Sequence, residues 1–214
     1  MNIKNEKGYS LAELVVSLPL AVFAIALLTF AIINFTISYQ ETQLYIQLQE
    51  DLFSAIETMR YGYTKANVTD GEQIIGLASA NKVEIGLTDN SIKIIPIILH
   101  TGIDYYARFY ENEGKIIASA QYGVKSFNNI RVFPESDRMF GTEPMFEILN
   151  LQFVPEKTID GKIYLLGVIA SARVRFRMKK DEQSLEEDLR ENTKTIHYKT
   201  SIFIGNAQIQ NTES

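Results

Sequence analysis

A long stretch without charge constrains this chain more than any other feature of its sequence. No residue from Leu14 to Gln40 is charged. The 24 residues from Leu14 to Ile37 would form a helix about 36 Å long, because each helical residue adds about 1.5 Å. That length exceeds the hydrocarbon core of a bilayer, which is about 30 Å thick. A secretory signal peptide has a shorter apolar region of about 7–15 residues, followed by a small-residue cleavage site. The stretch therefore predicts a retained membrane-spanning helix.

The same helix is predicted to continue beyond the apolar stretch. Apolar residues recur at three- and four-residue spacing at Tyr45, Leu48, Leu52, Ile56, Met59 and Tyr63. Residues 10–62 are therefore predicted to form one helix of about 53 residues, close to 80 Å long. Its first half is apolar all round and its second half is amphipathic, and the amphipathic stripe is expected to lie under a β-sheet. Pro19 removes one helical hydrogen bond, so we expect a kink or local opening near Val15–Ser17.

After Gly62 the sequence changes to short β-type segments separated by Gly, Asn, Asp and Pro. The predicted strands are Gln73–Leu77, Lys82–Leu87, Ser91–Leu99, Asp104–Tyr110, Lys115–Tyr122, Asn129–Phe133, Met145–Val154, Lys162–Met178 and Ile196–Ile204. Hairpin turns are predicted at Glu111–Gly114 and Asp160–Gly161, and a loop at Phe133–Pro144. Pro96 indicates an edge strand or a bulge. The predicted fold class is α+β, with a long N-terminal helix, transmembrane then amphipathic, packed against an antiparallel β-sheet head.

The distribution of charge predicts how the chain is oriented across a membrane. Lys4 and Lys7 precede the apolar stretch, whereas Glu41, Glu50 and Asp51 follow it. Basic residues tend to stay on the cytoplasmic side, so the N-terminus is expected in the cytoplasm and residues 41–214 outside. The net charge of −5 gives no basis for a nucleic-acid surface. The absence of cysteine excludes disulfides, a thiol nucleophile and cysteine metal sites.

Residues that commonly carry catalysis are scarce. The two histidines, His100 and His197, lie far apart in strand-like segments, which is more typical of structural histidines than of a ligand pair. There is no Gly-rich phosphate loop, nucleophile elbow or helical histidine pair. The acidic stretch Lys179–Lys194 lacks the spacing of a calcium loop and is predicted to be a solvated loop or short exposed helix. We therefore predict no enzyme activity, no metal and no cofactor.

An aromatic cluster, formed by Tyr105, Tyr106, Phe109 and Tyr110, allows two interpretations. It is a candidate surface for a sugar or a partner. Strand alternation sends Tyr106 and Tyr110 to one face and Tyr105 and Phe109 to the other, so half of the cluster is predicted to be core.

The position of Glu13 needs a physical explanation, because this charged residue directly precedes the apolar stretch. A carboxylate at the centre of a membrane helix costs about 2.5–3.5 kcal/mol on insertion scales, and less near an end. Ser10 to Glu13 matches a capping box, in which the Ser10 hydroxyl caps a helical N–H and Glu13 reaches back. The carboxylate also interacts favourably with the helix macrodipole. Taken alone, these residues leave a capping role and a functional role equally open.

The residues around Glu13 form a more specific pattern. A short basic leader ends in Gly8, the aromatic Tyr9 follows, and Ser-Leu-x-Glu then precedes the apolar helix. This pattern resembles the class III signal of type IV prepilins and pseudopilins. The resemblance implies that prepilin peptidase cuts after Gly8 and that Tyr9 becomes the methylated N-terminus. It also implies that Glu13 pairs with the N-terminal amine of a neighbouring subunit, which is tolerable in a water-poor filament core because the charge is paired.

The chain departs from this family pattern at two positions. The first mature residue is usually Phe and here is Tyr9, and the helix proline, Pro19, lies earlier than in the common major pilins. The order of the head segments, from the hairpin at Tyr110–Gly114 to a final strand reaching Gly205-Asn206, is similar to that of the larger minor pilins and pseudopilins. These are the J-type of type II secretion and the W-type of type IV pili, which often close on Arg-Asn.

The resemblance implies that the chain has three functional segments. Residues 1–8 would be the leader, residues 9–40 the transmembrane and assembly segment, and residues 41–214 the extracytoplasmic head. The expected partners are prepilin peptidase, other pilin or pseudopilin subunits, the inner-membrane assembly platform, and lipid before assembly. The expected function is that of a minor subunit of a type IV pilus, a secretion pseudopilus or a DNA-uptake filament. The alternative is a single-span protein whose exported β-rich domain binds a ligand or partner without entering a filament.

Processing after Gly8 is directly testable. Gly8→Leu should leave the full-length chain in the membrane, because a larger side chain blocks a site that accepts only a small residue. Asn5→Leu, which adds the same side chain elsewhere in the leader, should be processed normally. Gel mobility and N-terminal sequencing of the membrane fraction give the readout, and equal amounts of mature product from Gly8→Leu and wild type would contradict the prediction.

Overall fold

One long helix begins the described part of the chain. A computed structural model describes residues 11–64, 73–86, 90–96, 105–176 and 193–212. In it, helix α1 runs from Leu11 to Tyr61 over 51 residues, within one residue of each end of the predicted helix. The chain divides into two compact units, Met1–Gln43 and Leu44–Ser214, and each is described by itself.

The second half of α1 supplies one side of the core of Leu44–Ser214. Its fully buried side chains are those of Leu48, Leu52, Ala55, Ile56 and Met59. They belong to a single cluster with the buried side chains of the strands. Spacings of three and four residues place them on one helical face, so the predicted stripe beneath a sheet is confirmed from Leu48 to Met59. Its last predicted member, Tyr63, lies in the strand Gly62–Thr64 that follows the helix. Tyr45, at the start of the stripe, is only half-buried and packs against this core.

Twelve strands lie in the described residues after the helix. They are β1 Gly62–Thr64, β2 Gln73–Ile75, β3 Ala80–Gly86, β4 Ile92–Pro96, β5 Tyr105–Asn112, β6 Lys115–Tyr122, β7 Lys125–Phe133, β8 Met139–Phe140, β9 Glu143–Pro144, β10 Phe146–Ile159, β11 Lys162–Arg175 and β12 Thr193–Thr212. A short 3₁₀ helix, Leu77–Ser79, precedes β3. With one helix packed against largely antiparallel sheets, the fold class is α+β, as predicted.

Eight of these strands form the main sheet, in the order β10-β11-β12-β3-β4-β5-β6-β7. All neighbouring pairs are antiparallel except β12 with β3, which is parallel. Two small sheets, β1-β2 and β8-β9, complete the architecture. The single parallel pair is a departure from the predicted antiparallel sheet, and it lies where two antiparallel groups of strands meet.

Strand β12 joins the two groups because it is long. It has 20 residues, or roughly 66 Å at about 3.3 Å per residue, which is room for two partners placed end to end. Its first part pairs with β11, from Thr193 opposite Arg175 to Gln208 opposite Lys162. Only its last part, Gln208 to Thr212, pairs with β3. The sheet is therefore two antiparallel groups connected through the C-terminal end of one strand.

Both predicted hairpin turns are present. Glu113 and Gly114 connect β5 to β6, and Asp160 and Gly161 connect β10 to β11, all with positive φ between 50° and 72°. Two consecutive positive-φ residues make the turn whose twist matches that of an antiparallel pair. A third turn, at Gly123, connects β6 to β7, so that β7 begins at Lys125 and not at the predicted Asn129.

Two other strand predictions were partly wrong. Strand β4 is paired on both sides, so Pro96 does not lie on an edge strand. The alternative is correct, since the register of β3 and β4 shifts between Ala80 and Lys82, opposite Pro96. The predicted loop Phe133–Pro144 contains the small β8-β9 hairpin, because two-residue strands are too short to show an alternation.

The end of α1 depends on a close approach between two glycines. Gly62 has φ +75°, and an added Cβ would lie 2.0 Å from the carbonyl oxygen of Ile74. A Cβ on Gly76 would lie 2.3 Å from the Gly62 nitrogen. Glycine is the only residue that allows a left-handed conformation and backbone contact this close. The pair brings β2 against the end of the helix and closes that side of the core.

The buried face of α1 sets a stability prediction. Leu52 is 1% exposed, so Leu52→Ala should lower the free energy of unfolding by about 2–5 kcal/mol, through lost burial and a residual cavity. Denaturant unfolding of a soluble form of the chain beginning at Ser38 measures it. Ile46→Ala, at an exposed position of the same helix, should change the free energy by less than about 0.5 kcal/mol. Equal small effects from both variants would show that Leu52 faces a partner and not the core.

Candidate functional site

The apolar surface of α1 from Leu14 to Phe35 is the most unusual feature of the described residues. Every Leu, Val, Ile and Phe from Leu14 to Phe35 is between 53% and 73% exposed. These positions point in all directions around α1, so this is an apolar cylinder and not one apolar face. A monomeric protein in water rarely exposes a contiguous apolar surface of this kind. The segment is long and apolar enough to cross a membrane.

Hydroxyl groups in the helix are satisfied within it. Thr29 Oγ1 donates to the Ile25 carbonyl at 2.9 Å, and Thr36 Oγ1 donates to the Ile32 carbonyl at 2.8 Å. Ser17 Oγ makes a longer contact, 3.3 Å, to the Leu14 carbonyl. A polar group in hydrocarbon is expensive unless it is hydrogen-bonded. These internal bonds therefore allow the hydroxyls to enter an apolar environment.

The residues predicted to carry processing and assembly are only partly described. Gly8 and Tyr9 lie outside the described residues, so the proposed cleavage site and amine partner stay predictions. Glu13 lies in the first turn of α1 with an exposed side chain, where a carboxylate is favoured by the helix macrodipole. The helix runs without interruption through Pro19, and the expected kink near Val15–Ser17 stays a prediction.

A charged cluster on the head was not anticipated from the sequence. Arg175 is 9% exposed and its guanidinium contacts the carboxylates of Glu143 and Glu147. Arg173 donates to Glu147 Oε2 at 2.6 Å. The cluster ties β9, β10 and β11 together with two positive and two negative charges. The available signal was that Arg173 and Arg175 stand two residues apart, on one face of a strand whose other face is apolar.

The cluster is a structural device and not a ligand site. Its charges balance, and the Nε atoms of both arginines are buried without an acceptor in the described residues. Buried donors of this kind are not reachable by a ligand. Arg175 is the buried member of the cluster, so removing both of its carboxylate partners would leave a buried charge unpaired, which is strongly destabilising.

The groups considered for catalysis and binding have ordinary partners where they are described. His197 Nδ1 lies 2.8 Å from Ser171 Oγ, and His100 lies outside the described residues. Phe109 is buried as predicted, while Lys93 lies over the Tyr106 ring and Arg108 over the Tyr110 ring. No three His, Asp or Glu side chains of the described segments lie close enough to hold a metal ion. Most of the acidic stretch Lys179–Lys194 lies outside those segments.

One buried carboxylate holds a loop against α1. Asp51 is 5% exposed, and its Oδ2 accepts a hydrogen bond from the Glu135 backbone N–H at 3.3 Å. Nearby, Arg138 donates to Gln47 Oε1 at 2.7 Å. Burial is the main cause that raises the pKa of Asp51 above its ordinary value, and the Glu135 N–H opposes it. In the sequence, Asp51 is simply one of the acidic residues that follow the apolar stretch, and no local pattern indicates its burial.

Comparison of the chain with protein-family models, with curated proteins and with solved structures finds no match. The function is therefore argued from the residues and the geometry of this chain.

The raised pKa of Asp51 sets a pH-dependent prediction. Because the folded pKa lies above the unfolded value, ionised Asp51 destabilises the fold above the folded pKa, and this penalty disappears as the pH falls toward about 3.8. Asp51→Asn cannot titrate but keeps an oxygen acceptor for the Glu135 N–H. The variant should therefore be at least as stable as wild type at pH 7. As the pH is lowered, the stability of wild type should increase relative to that of the variant.

Thermal melting of both proteins across this pH range is the measurement. Glu113→Gln removes an exposed acid that is not among the charges acting on Asp51 and serves as the control for a general charge effect. If wild type instead loses stability relative to Asp51→Asn as the pH falls, the buried carboxylate is stabilised by its partners and the assignment is wrong.

Proposed function

We propose that this chain is a subunit of an envelope filament of the type IV pilin class, assembled through the first half of α1. The single observation that carries the proposal is the apolar cylinder from Leu14 to Phe35, which is exposed on all sides of the helix. Its surface is suited to lipid before assembly and to sister helices afterwards. The pattern from Gly8 to Glu13 adds the resemblance to prepilin signals. In this proposal the N-terminus starts in the cytoplasm and the head lies outside.

Transfer of the helix from lipid to a bundle of helices is driven by packing. Apolar side chains have a similar free energy in lipid and in a protein interior. The positions where helices meet are therefore determined by small residues, which allow close approach. Ser17, Ala21, Ala24 and Ala31 lie within about 80° of one another around the helix at 100° per residue. This line of small side chains gives a neighbouring helix a surface for close contact.

Glu13 gives the assembly its register. A carboxylate at the edge of an apolar cylinder is costly if it enters a dry environment alone and tolerable if it is paired. In the proposed filament its partner is the methylated amine of Tyr9 on a neighbouring subunit. The pair would form only when two helices are staggered correctly, so it selects one arrangement out of many that packing alone permits.

A second candidate function has its own observation. Leu44–Ser214 has a hydrophobic core of its own, as an exported domain that works alone would have. In that case α1 is only a membrane anchor. Mass spectrometry of the mature N-terminus separates the two, because only the filament proposal requires a methylated Tyr9.

Glu13→Gln distinguishes the assembly role from a capping role. Glutamine keeps the reach and the oxygen acceptor of a capping box, but it has no charge to pair with an amine in a low-dielectric filament core. The variant should be inserted and cleaved like wild type and should enter filaments poorly. The measurement is the amount recovered with sheared filaments relative to the membrane pool.

A matched control keeps this test specific. Glu41→Gln removes the same charge from the same helix just beyond the uncharged stretch, and it should assemble like wild type. If Glu13→Gln also assembles like wild type, Glu13 is a helix cap and the amine pairing is excluded for this chain.

A further inference from the structure

Strand β12 has an open edge over most of its length. Its first part is paired with β11 on one side, and its pairing with β3 on the other side begins only at Gln208. From Thr195 to Phe203 no described strand lies along that second side. Along such an edge, every second residue directs both its backbone N–H and its C=O away from the neighbouring strand.

This open edge is regular, unlike the two outer edges of the sheet. From Leu165 opposite Phe203 to Arg175 opposite Thr193, the β11-β12 register has no shift. The outer strand β10 has register shifts near Asn150 and near Lys157, and β6-β7 pairing is also shifted twice. Bulges at an edge oppose the addition of another strand. The outer edges of the sheet are therefore protected against the addition of another strand, whereas the edge of β12 allows it.

A groove of about 460 Å³ lies between this edge and α1. The helix lines it with one face, formed by Tyr45, Gln49, Leu52 and Phe53, and β12 lines it with Thr195, Ile196, His197 and Tyr198. Successive side chains of a strand point to opposite faces. Four consecutive residues can line one groove only where that groove meets the strand from the side, at its main chain.

The wall of the groove is aromatic, and a lysine lies at its rim. The rings of Phe53 and Tyr198 meet edge to face, with centroids 6.5 Å apart, and Phe53 is 52% exposed. At the rim, Lys194 Nζ lies 5.8 Å from the Tyr45 ring centroid and 5.4 Å from that of Phe176. In the described segments no carboxylate lies within ion-pair distance of this ammonium, so it remains available to an acidic group.

We propose that this groove binds an extended segment of another protein by strand addition to β12. The segment would lie end to end with β3, continuing the main sheet along the open edge. Main-chain hydrogen bonds to β12 would provide affinity, and alternate side chains would provide specificity. An apolar side chain packs on Phe53 and Tyr198, and a carboxylate on the same face of the segment reaches Lys194. This binding role is independent of filament assembly by α1.

A synthetic peptide of about nine residues, the length of an ordinary strand, tests the proposal. Threonine alternates in it with valine, and glutamate replaces the valine nearest each end. Either strand direction then places a carboxylate near Lys194 and a valine near Phe53. The full-length protein in detergent micelles should bind this peptide saturably in a calorimetric or fluorescence titration. A version N-methylated at alternate amides, which cannot form the strand ladder, should not bind.

Variants identify the groove as the site. Phe53→Ala should weaken binding, whereas Phe203→Ala, an exposed aromatic on the other face of β12, should not. Exchange of glutamate for glutamine in the peptide should weaken binding to wild type by about threefold and should have no effect on Lys194→Gln. Lys199→Gln is the control for charge, because Lys199 pairs with Glu156 on that other face.

Hydrogen exchange of the β12 amides provides the decisive measurement. In the free protein, the amides of Thr195–Phe203 that point away from β11 should exchange quickly, and the peptide should slow them. If these amides are already protected in free monomer, the edge is occupied within the chain and the proposal is overturned. If they become protected only as the protein concentration rises, the occupant is a second copy and the assignment to another protein is wrong. Absence of peptide binding, or equal binding of the N-methylated peptide, also overturns it.

Discussion

Burial of one face of α1 against the main sheet is the interaction on which the head depends. Leu48, Leu52, Ala55, Ile56 and Met59 form one side of a core whose other side comes from alternate residues of β3 to β6 and β10 to β12. A sheet of this size needs a cover for one face, and α1 is the one α-helix among the described residues. The position of the helix end, held by Gly62 against Gly76, in turn determines where the sheet can start.

Strand β12 then determines the arrangement of the sheet. Because it is long enough for two neighbours in succession, it connects β10-β11 to β3-β7 through its C-terminal end. The same arrangement leaves the N-terminal part of β12 paired with β11 alone among the described strands. The edge that results is regular and borders an aromatic groove. A surface suited to an extended partner is thus a direct consequence of how the two strand groups are joined.

The two proposed functions use different physical properties of the same helix. From Leu14 to Phe35, α1 is apolar all round, and lateral packing can satisfy it only in lipid or among other helices. From Leu44 to Tyr61, α1 is amphipathic, with one face in the core and the neighbouring face, which includes Gln49 and Phe53, lining the groove. Assembly and recognition therefore have separate determinants and are testable by separate substitutions.

Elements whose signal is local could be predicted from the sequence. The helix bounds, the buried stripe and the turns at Glu113-Gly114 and Asp160-Gly161 follow from periodicity and turn chemistry, which depend on near neighbours in the chain. Tertiary contacts were needed to choose the bulge over the edge strand at Pro96 and to reveal the parallel pairing of β12 with β3, the burial of Asp51 and the open edge beside Phe53. These features depend on contacts between residues far apart in sequence, and no local pattern encodes which strand becomes the neighbour of another.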